Sequence, residues 1–232
     1  MPPLALLAGG VGSRLRAIAP DIPKSMIEVA GEPFISHQLK LLKREGIVRV
    51  VICAGHLGQQ IQEFVQEGSQ FGLHIGYSFD GEKLRGTGGA IRKALPLLGD
   101  LFWVMYGDSY LDIPFGPILK YFLDRQKPAL MTLFYNRNQW DRSNVLFDKG
   151  VVRQYLKKNS SPELKHIDYG LSLVRQSAFE PWSQDETFDL AEVYSNLIAE
   201  EEMLGYEVSQ RFYEVGSPRG LEETRAWLEE KR

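Results

Sequence analysis

Leu4–Ala8, five consecutive aliphatic residues, run directly into Gly9-Gly10-Val11-Gly12-Ser13-Arg14. A short apolar run bounded by glycine reads as a buried strand. Three glycines just past its end let backbone N–H groups close around an anion with no Cβ in the way. Arg14 adds a rigid fork of donors that matches phosphate oxygens. Ten residues on, Pro23 stiffens the backbone beside Lys24, so Gly9 to Lys24 carries Arg14, Arg16 and Lys24 against Asp21 in a chain of formal net charge −3. Two common phosphate loops do not fit. A Walker A loop ends in Gly-Lys-Ser/Thr, which does not follow Gly12. The dinucleotide fingerprint needs glycine at the sixth position from Gly10, where Leu15 stands.

The rest of the chain alternates strand and helix patterns. Pro33–Glu45 carries Phe34, Ile35, Leu39 and Leu42 on one face and stops at Gly46, which reads as a helix. Val48–Ala54 reads as a strand, Leu57 to Val65 as a helix closed by Gly68, and Ile75–Phe79 as a strand. Gly89–Leu98 follows as a helix that Thr87 is placed to cap, then Leu101–Tyr106 as an apolar strand. Ser217-Pro218 opens a final amphipathic helix through Leu221, Thr224 and Leu228. This order implies an α/β fold: a Rossmann-like three-layer arrangement of a mixed, mostly parallel sheet with helices on both faces. Ala129–Asn136, Val145–Asp148, Val151–Tyr155 and Ile167–Val174 read as strands of a small antiparallel addition within a single domain, 1–232. Ligands of open α/β sheets gather outside the carboxyl ends of the strands, so the loops after Ala8, Phe79 and Tyr106 matter most.

Composition narrows the function classes. Lys plus Arg number 27 against 30 Asp plus Glu, so no basic surface offers itself to nucleic acid or to an anionic membrane. A single cysteine, Cys53, excludes an internal disulfide framework. No apolar stretch reaches 18 residues and no basic segment precedes the first apolar run, so a cytoplasmic protein is expected. The four histidines lack metal-ligand spacing, and no Gly-x-Ser-x-Gly elbow supplies a nucleophile.

Four ordered segments carry a resemblance: Leu7-Ala8-Gly9-Gly10-Val11-Gly12-Ser13-Arg14-Leu15, Pro23-Lys24-Ser25-Met26, Gly86-Thr87-Gly88-Gly89-Ala90 and Tyr106-Gly107-Asp108-Ser109. With the late Tyr213-Glu214-Val215-Gly216-Ser217, the chain resembles the sugar-1-phosphate nucleotidyltransferases over nearly its whole length, above all the short guanylyl-, uridylyl- and thymidylyltransferases. The resemblance implies that Leu7, Ala8, Gly9, Gly10, Gly12 and Ser13 hold the nucleotide, and that Gly86, Thr87, Gly88 and Gly89 contact its base and ribose. It also implies that Arg14 contacts phosphates, Lys24 neutralises charge near the α-phosphate, and Asp108 holds Mg2+. Residues 1–128 would then mainly bind nucleotide and 129–232 mainly the sugar phosphate. The chemistry agrees with this: several negative charges meet at one phosphorus, and fixed cations, a metal ion and in-line placement must offset them.

The chain departs from the family pattern at several points. Glu214 stands where an aspartate usually serves as second metal ligand. The sugar-phosphate lysine is Lys157, with Lys158 as alternative, and no acid precedes it. Ser143-Asn144 and Asp168-Tyr169-Gly170 replace the usual sugar-facing residues, so Asn144, Asp168 and Gly170 are expected at the sugar. Asp80 stands near the position that reads the base. A carboxylate only accepts hydrogen bonds and suits the N–H donors of guanine, which favours GTP weakly.

The expected function is a Mg2+-dependent enzyme joining an NTP to a sugar 1-phosphate, giving an NDP-sugar and pyrophosphate. No nucleic acid or membrane partner is implied, and assembly into a homo-oligomer is compatible with the sequence. Two alternatives stay open. One is a nucleotide-sugar sensor of the same fold, suggested by Glu214 and the missing acid before Lys157. The other is a cytidylyltransferase for a non-sugar phosphate, for which Tyr110, Trp140, Tyr169 and Trp182 could supply an aromatic box.

Overall fold

The computed structural model describes residues 1–10, 15, 20–81, 83–157 and 161–231. The strands are β1 (Leu4–Leu7), β2 (Glu28–Val29), β3 (Glu32–Pro33), β4 (Arg49–Ala54), β5 (His74–Phe79), β6 (Leu101–Tyr106) and β7 (Ser109–Tyr110). They continue as β8 (Ala129–Tyr135), β9 (Val145–Asp148), β10 (Val151–Tyr155), β11 (His166–Arg175), β12 (Met203–Val208) and β13 (Tyr213–Glu214). The helices are α1 (Phe34–Arg44), α2 (Gly58–Val65), α3 (Gly86–Leu98), α4 (Phe115–Leu123), α5 (Leu190–Ala199) and α6 (Pro218–Glu230).

One nine-stranded sheet, in the order β5-β4-β1-β6-β11-β8-β12-β10-β9, runs through the molecule. Strands β5, β4, β1 and β6 are parallel, with Leu6 in register with both Ile52 and Met105. Strand β11 runs antiparallel to β6 and β8, and β9 and β10 pair antiparallel, so the expected addition extends the same sheet. Strand β12, which the sequence reading left out, inserts parallel to β8 and joins β10 to the sheet.

The period-2 alternation of the strands decides the layers. Leu4, Leu6, Val50, Ile52, Trp103 and Met105 face one side and pack with α1, α2 and α4. Ala5, Val51, Cys53, Phe102 and Val104 face the other and pack with α3 and α5. Every one of these strand residues is essentially buried, as expected for a sheet covered on both faces. A third cluster seats α6 through Leu221 and Leu228 against Leu15, Phe34, Tyr110 and Val215. Ser217 caps α6 by accepting from the Gly220 N–H at 3.0 Å, with Pro218 in the first turn, as the sequence implies.

Candidate active site

The carboxyl ends of β1, β4, β5 and β6 open into a cleft of about 310 Å3. Leu7, Ala8, Gly9, Gly10, Lys24, Cys53, Asp80, Gly86, Thr87 and Asp108 are among its lining residues. It lies where the strand order places a ligand, between the loops after Ala8, Phe79 and Tyr106. A Cβ on Gly9 would stand 3.1 Å from the Gly55 nitrogen, so that position has little room for a larger residue. Gly12, Ser13 and Arg14 lie outside the described residues, as does Lys158.

Lys24 reaches the cleft from a short 3-10 turn that follows Pro23. Its ammonium donates to Asp108 Oδ2 at 3.2 Å, across 84 residues of sequence. Asp108 sits in the turn between β6 and β7. That turn is gripped from behind by Gln38 of α1, a fully buried side chain whose amide donates to the carbonyls of Tyr106 (3.2 Å) and Ser109 (2.7 Å). Gln38 went unnoticed in the sequence: a lone glutamine on a helix carries no signal until the strand end it touches is known.

The short β7–β13 ladder pairs Ser109 with Glu214, and the Val215 N–H donates to the Asp108 carbonyl at 2.8 Å. This sets the two carboxylates near each other. Asp108 Oδ2 and Glu214 Oε2 each lie 2.9 Å from where a Cβ of Gly216 would stand. The Glu214 carboxylate also accepts from the Gly216 N–H and the Ser217 hydroxyl, which fixes its orientation. A Cβ on Gly220 would fall 1.7 Å from Glu214 Oε1, so glycine there makes room for the extra methylene of glutamate. No cluster of three or more His, Cys, Asp or Glu residues suited to a metal occurs among the described residues.

The glycine-rich segment Gly86–Gly89 packs against the chain that leads into α5. The N–H groups of Gly88 and Gly89 both donate to the Phe188 carbonyl, at 3.1 and 3.2 Å. A Cβ on Gly88 would meet the Phe188 ring at 2.4 Å, and one on Gly86, whose φ is +72°, would meet the Phe188 oxygen at 2.3 Å. These glycines therefore admit the segment leading into α5, while Gly86 and Thr87 also line the cleft. Helix α3 begins after Arg85 with no side-chain cap, so Thr87 does not cap its own helix. Its hydroxyl instead donates to Asp189 Oδ1 at 3.0 Å and accepts from the Leu190 N–H at 2.9 Å.

On the second half of the sheet, Lys157 is ion-paired with Asp189. The Asn144 side-chain oxygen accepts from the Asp168 N–H at 2.9 Å. Asp168 Oδ1 accepts from the Gly170 N–H at 2.9 Å, across a glycine whose φ of +92° suits the bulge between β11 and β8. Burial pushes the Asp168 carboxyl up to about 6, against the lowering effect of Gly170 and of Tyr155. Burial, followed by the charge of Asp168, raises the phenols of Tyr106, Tyr155 and Tyr194, and the Tyr155 hydroxyl donates to Asp168 Oδ2 at 3.4 Å. Asp80 lines the cleft, and burial raises its carboxyl against the nearby Arg85. The four aromatics considered for a box do not converge. Tyr110 packs on Trp227, Trp182 stacks on Phe188, Tyr169 meets Phe212, and Trp140 lies on Arg211.

Comparison with known proteins bears on the fold and the family. HddC from Yersinia pseudotuberculosis, solved with GMP-PN, superposes with a TM-score of 0.83 over 98% of this chain and 100% of that one, at 19% identity. The inositol-1-phosphate CTP transferase from T. maritima gives 0.80 over 100% and 97%, at 18% identity. Both likenesses are of fold. In sequence, the chain is 29% identical to the D-glycero-alpha-D-manno-heptose 1-phosphate guanylyltransferase of Campylobacter jejuni over 188 residues, 81% of this chain and 82% of that one. It is 32% identical to the UTP–glucose-1-phosphate uridylyltransferase of Synechocystis over 139 residues, 55% of this chain and only 35% of the relative. No described helix is long and apolar enough to cross a membrane. The family model for nucleotidyl transferases matches residues 5–166, well over half of the sequence, and the chain belongs to that family.

Proposed function

We propose that this protein joins an NTP to a sugar 1-phosphate, releasing pyrophosphate and forming an NDP-sugar. One observation carries the reading: Lys24 and Asp108 meet at 3.2 Å in a cleft at the carboxyl ends of the central parallel strands, with Glu214 beside Asp108. An oxygen of the sugar phosphate forms a bond to the α-phosphorus. The bond from that phosphorus to the oxygen bridging to the β-phosphorus breaks, and pyrophosphate departs. The nucleophile is already anionic, so no general base is required. Lys24 offsets the charge that collects around the α-phosphorus, and the backbone at Gly9 and Gly10 leaves space for the phosphates to approach. Arg14 is assigned to the phosphates by the family resemblance alone.

Two neighbouring carboxylates suit Mg2+, which is usually held by one or two carboxylates with the remaining positions left to substrate phosphates and water. Bound there, Mg2+ would supply further charge compensation and orient the phosphates. Asp108 and Glu214 are the holders in this reading. Gly220→Ala tests it, because the new methyl group overlaps Glu214 Oε1 and must displace the carboxylate. We expect weaker Mn2+ binding in an EPR titration and at least about tenfold lower turnover, a modest share of what losing one electrostatic stabiliser costs. Unchanged Mn2+ affinity in a folded variant removes Glu214 from the metal site.

Lys157 is read as the sugar-phosphate lysine and Asp168 as an acceptor for sugar hydroxyls, supported by Asn144 and Gly170. With its pKa near 6, Asp168 is largely ionised at neutral pH and protonated below. The expected result is that kcat/KM for the sugar phosphate rises as pH climbs through 6, and that Asp168→Asn flattens this step. Stability runs the other way. The folded protein holds this proton more tightly than the unfolded chain, so the group's contribution is full below about pH 4 and fades as pH rises through 6. The melting temperature of the asparagine variant, taken relative to the parent, should therefore increase between pH 4 and 7.

GTP is the favoured nucleotide, on the acceptor-only carboxylate of Asp80 in the cleft. Pyrophosphate release measured with GTP, UTP, dTTP and CTP against a panel of sugar 1-phosphates tests activity and base together. Release with no pair, alongside measurable nucleotide binding, would favour the sensor reading instead.

A further inference from the structure

The Gly86–Gly89 turn, which lines the cleft and is the proposed nucleotide loop, and the proposed sugar-phosphate lysine are joined by a single side chain. Asp189 is the N-cap of α5, and its Oδ1 accepts from the Ala191 N–H at 3.1 Å. The same oxygen accepts from the Thr87 hydroxyl, while Oδ2 holds the Lys157 ammonium. The flanking residues fix Asp189 further. The Asp189 N–H donates to Glu192 at 2.8 Å, closing a capping box, and the Phe188 N–H donates to the Arg85 carbonyl at 3.1 Å. Phe188 in turn receives the Gly88 and Gly89 amides. Residues 188–190 are thus bound to the Gly86–Gly89 turn at several points about 100 residues away in sequence.

Lys157 has no comparable support of its own. It lies just past the end of β10, its side chain is 51% exposed, and Asp189 is its only ion-pair partner among the described residues. A four-carbon stem in that setting samples many rotamers, and ordering it on a phosphate carries an entropic cost. We infer that Asp189 is a positioning residue for sugar-phosphate binding: it ties the Lys157 ammonium to the nucleotide loop, so that the cation receiving the sugar phosphate is held at a set place relative to the nucleotide. An ammonium has three donors, so the pair with Asp189 leaves the others for phosphate oxygens. In-line transfer depends on the relative placement of its two reactants, and the link supplies it.

This inference rests on the reading of Lys157, and the experiment separates the two. Asp189→Asn and Asp189→Ser keep a residue that caps helices well and remove the charge that holds Lys157. Steady-state kinetics with both variants, with Lys157→Ala, and with Lys157→Ala combined with Asp189→Asn form the test. The expected result is a fall of about tenfold in kcat/KM for the sugar phosphate in both Asp189 variants, the scale of one side chain's lost pre-organisation. KM for the NTP should stay at the parent value, and Asp189→Asn should cause no further loss once Lys157 is alanine. A purely structural role for Asp189 would instead raise KM for both substrates and add to the effect of Lys157→Ala, and either result overturns the inference. So does parental or improved kcat/KM in both Asp189 variants. If Lys157→Ala alone leaves the sugar-phosphate kinetics unchanged, the Lys157 reading fails first.

Discussion

Lys24→Ala is expected to lower turnover at least about 10²-fold, the scale seen when one pre-organised electrostatic stabiliser is removed. The proposed reaction brings an anionic sugar phosphate against an anionic triphosphate, and Lys24 is a cation lining the cleft. The fold should hardly notice the change. The Lys24 and Asp108 side chains are 20% and 31% exposed, and an ion pair with that much solvent contact contributes about 0–1 kcal/mol. Thermal melting should therefore stay close to the parent while single-turnover formation of NDP-sugar slows. Parental turnover in the alanine variant would remove Lys24 from the chemistry and leave its ion pair as ordinary surface structure.

Asp108→Asn should have an effect at least as large, and it distinguishes metal binding from packing. Asparagine has nearly the same volume and keeps one acceptor oxygen, so the turn gripped by Gln38 can stay in place. The charge is lost, and with it one of the two carboxylates proposed to hold Mg2+. A fall of about 10²-fold or more in turnover is expected. It should be accompanied by a higher Mg2+ concentration for half-maximal activity and weaker Mn2+ binding measured without turnover. Loss of turnover with unchanged Mn2+ affinity would assign the metal elsewhere and restrict Asp108 to orienting Lys24.

Much of the first half was legible in the sequence because its signals are local. Leu4–Ala8 followed by glycines, and Leu101–Tyr106 followed by Gly107-Asp108, each state a buried strand and the loop at its end within ten residues. Besides the two-residue strands, three longer elements were not read from the sequence, two of them for physical reasons. The nine-residue α4 carries Gly116 and Pro117 near its start, which lower its helical signal. Strand β12 is interrupted by Gly205, whose missing side chain accommodates Phe147. Helix α5 was missed although its capping box, Asp189 with Glu192, is a readable start signal.

The glycines of 86–89 show the limit of motif reading most clearly. Glycine permits close approach, but the sequence does not say by what, and here the approaching group is Phe188. The same holds for Asp108: Lys24 pairs with it, Gln38 holds its neighbours Tyr106 and Ser109, and Glu214 pairs with Ser109, from three distant segments.

By itself, the sequence determined the strand–helix order and the two covered faces of the sheet, because hydrophobic period and glycine position act between neighbours along the chain, and its ordered motifs carried the resemblance to the family. Only the tertiary structure decided that Glu214 lies beside Asp108 and that Asp189 links Thr87 to Lys157. Those contacts depend on strand order and register, which bring together groups whose separation in sequence carries no trace of their separation in space.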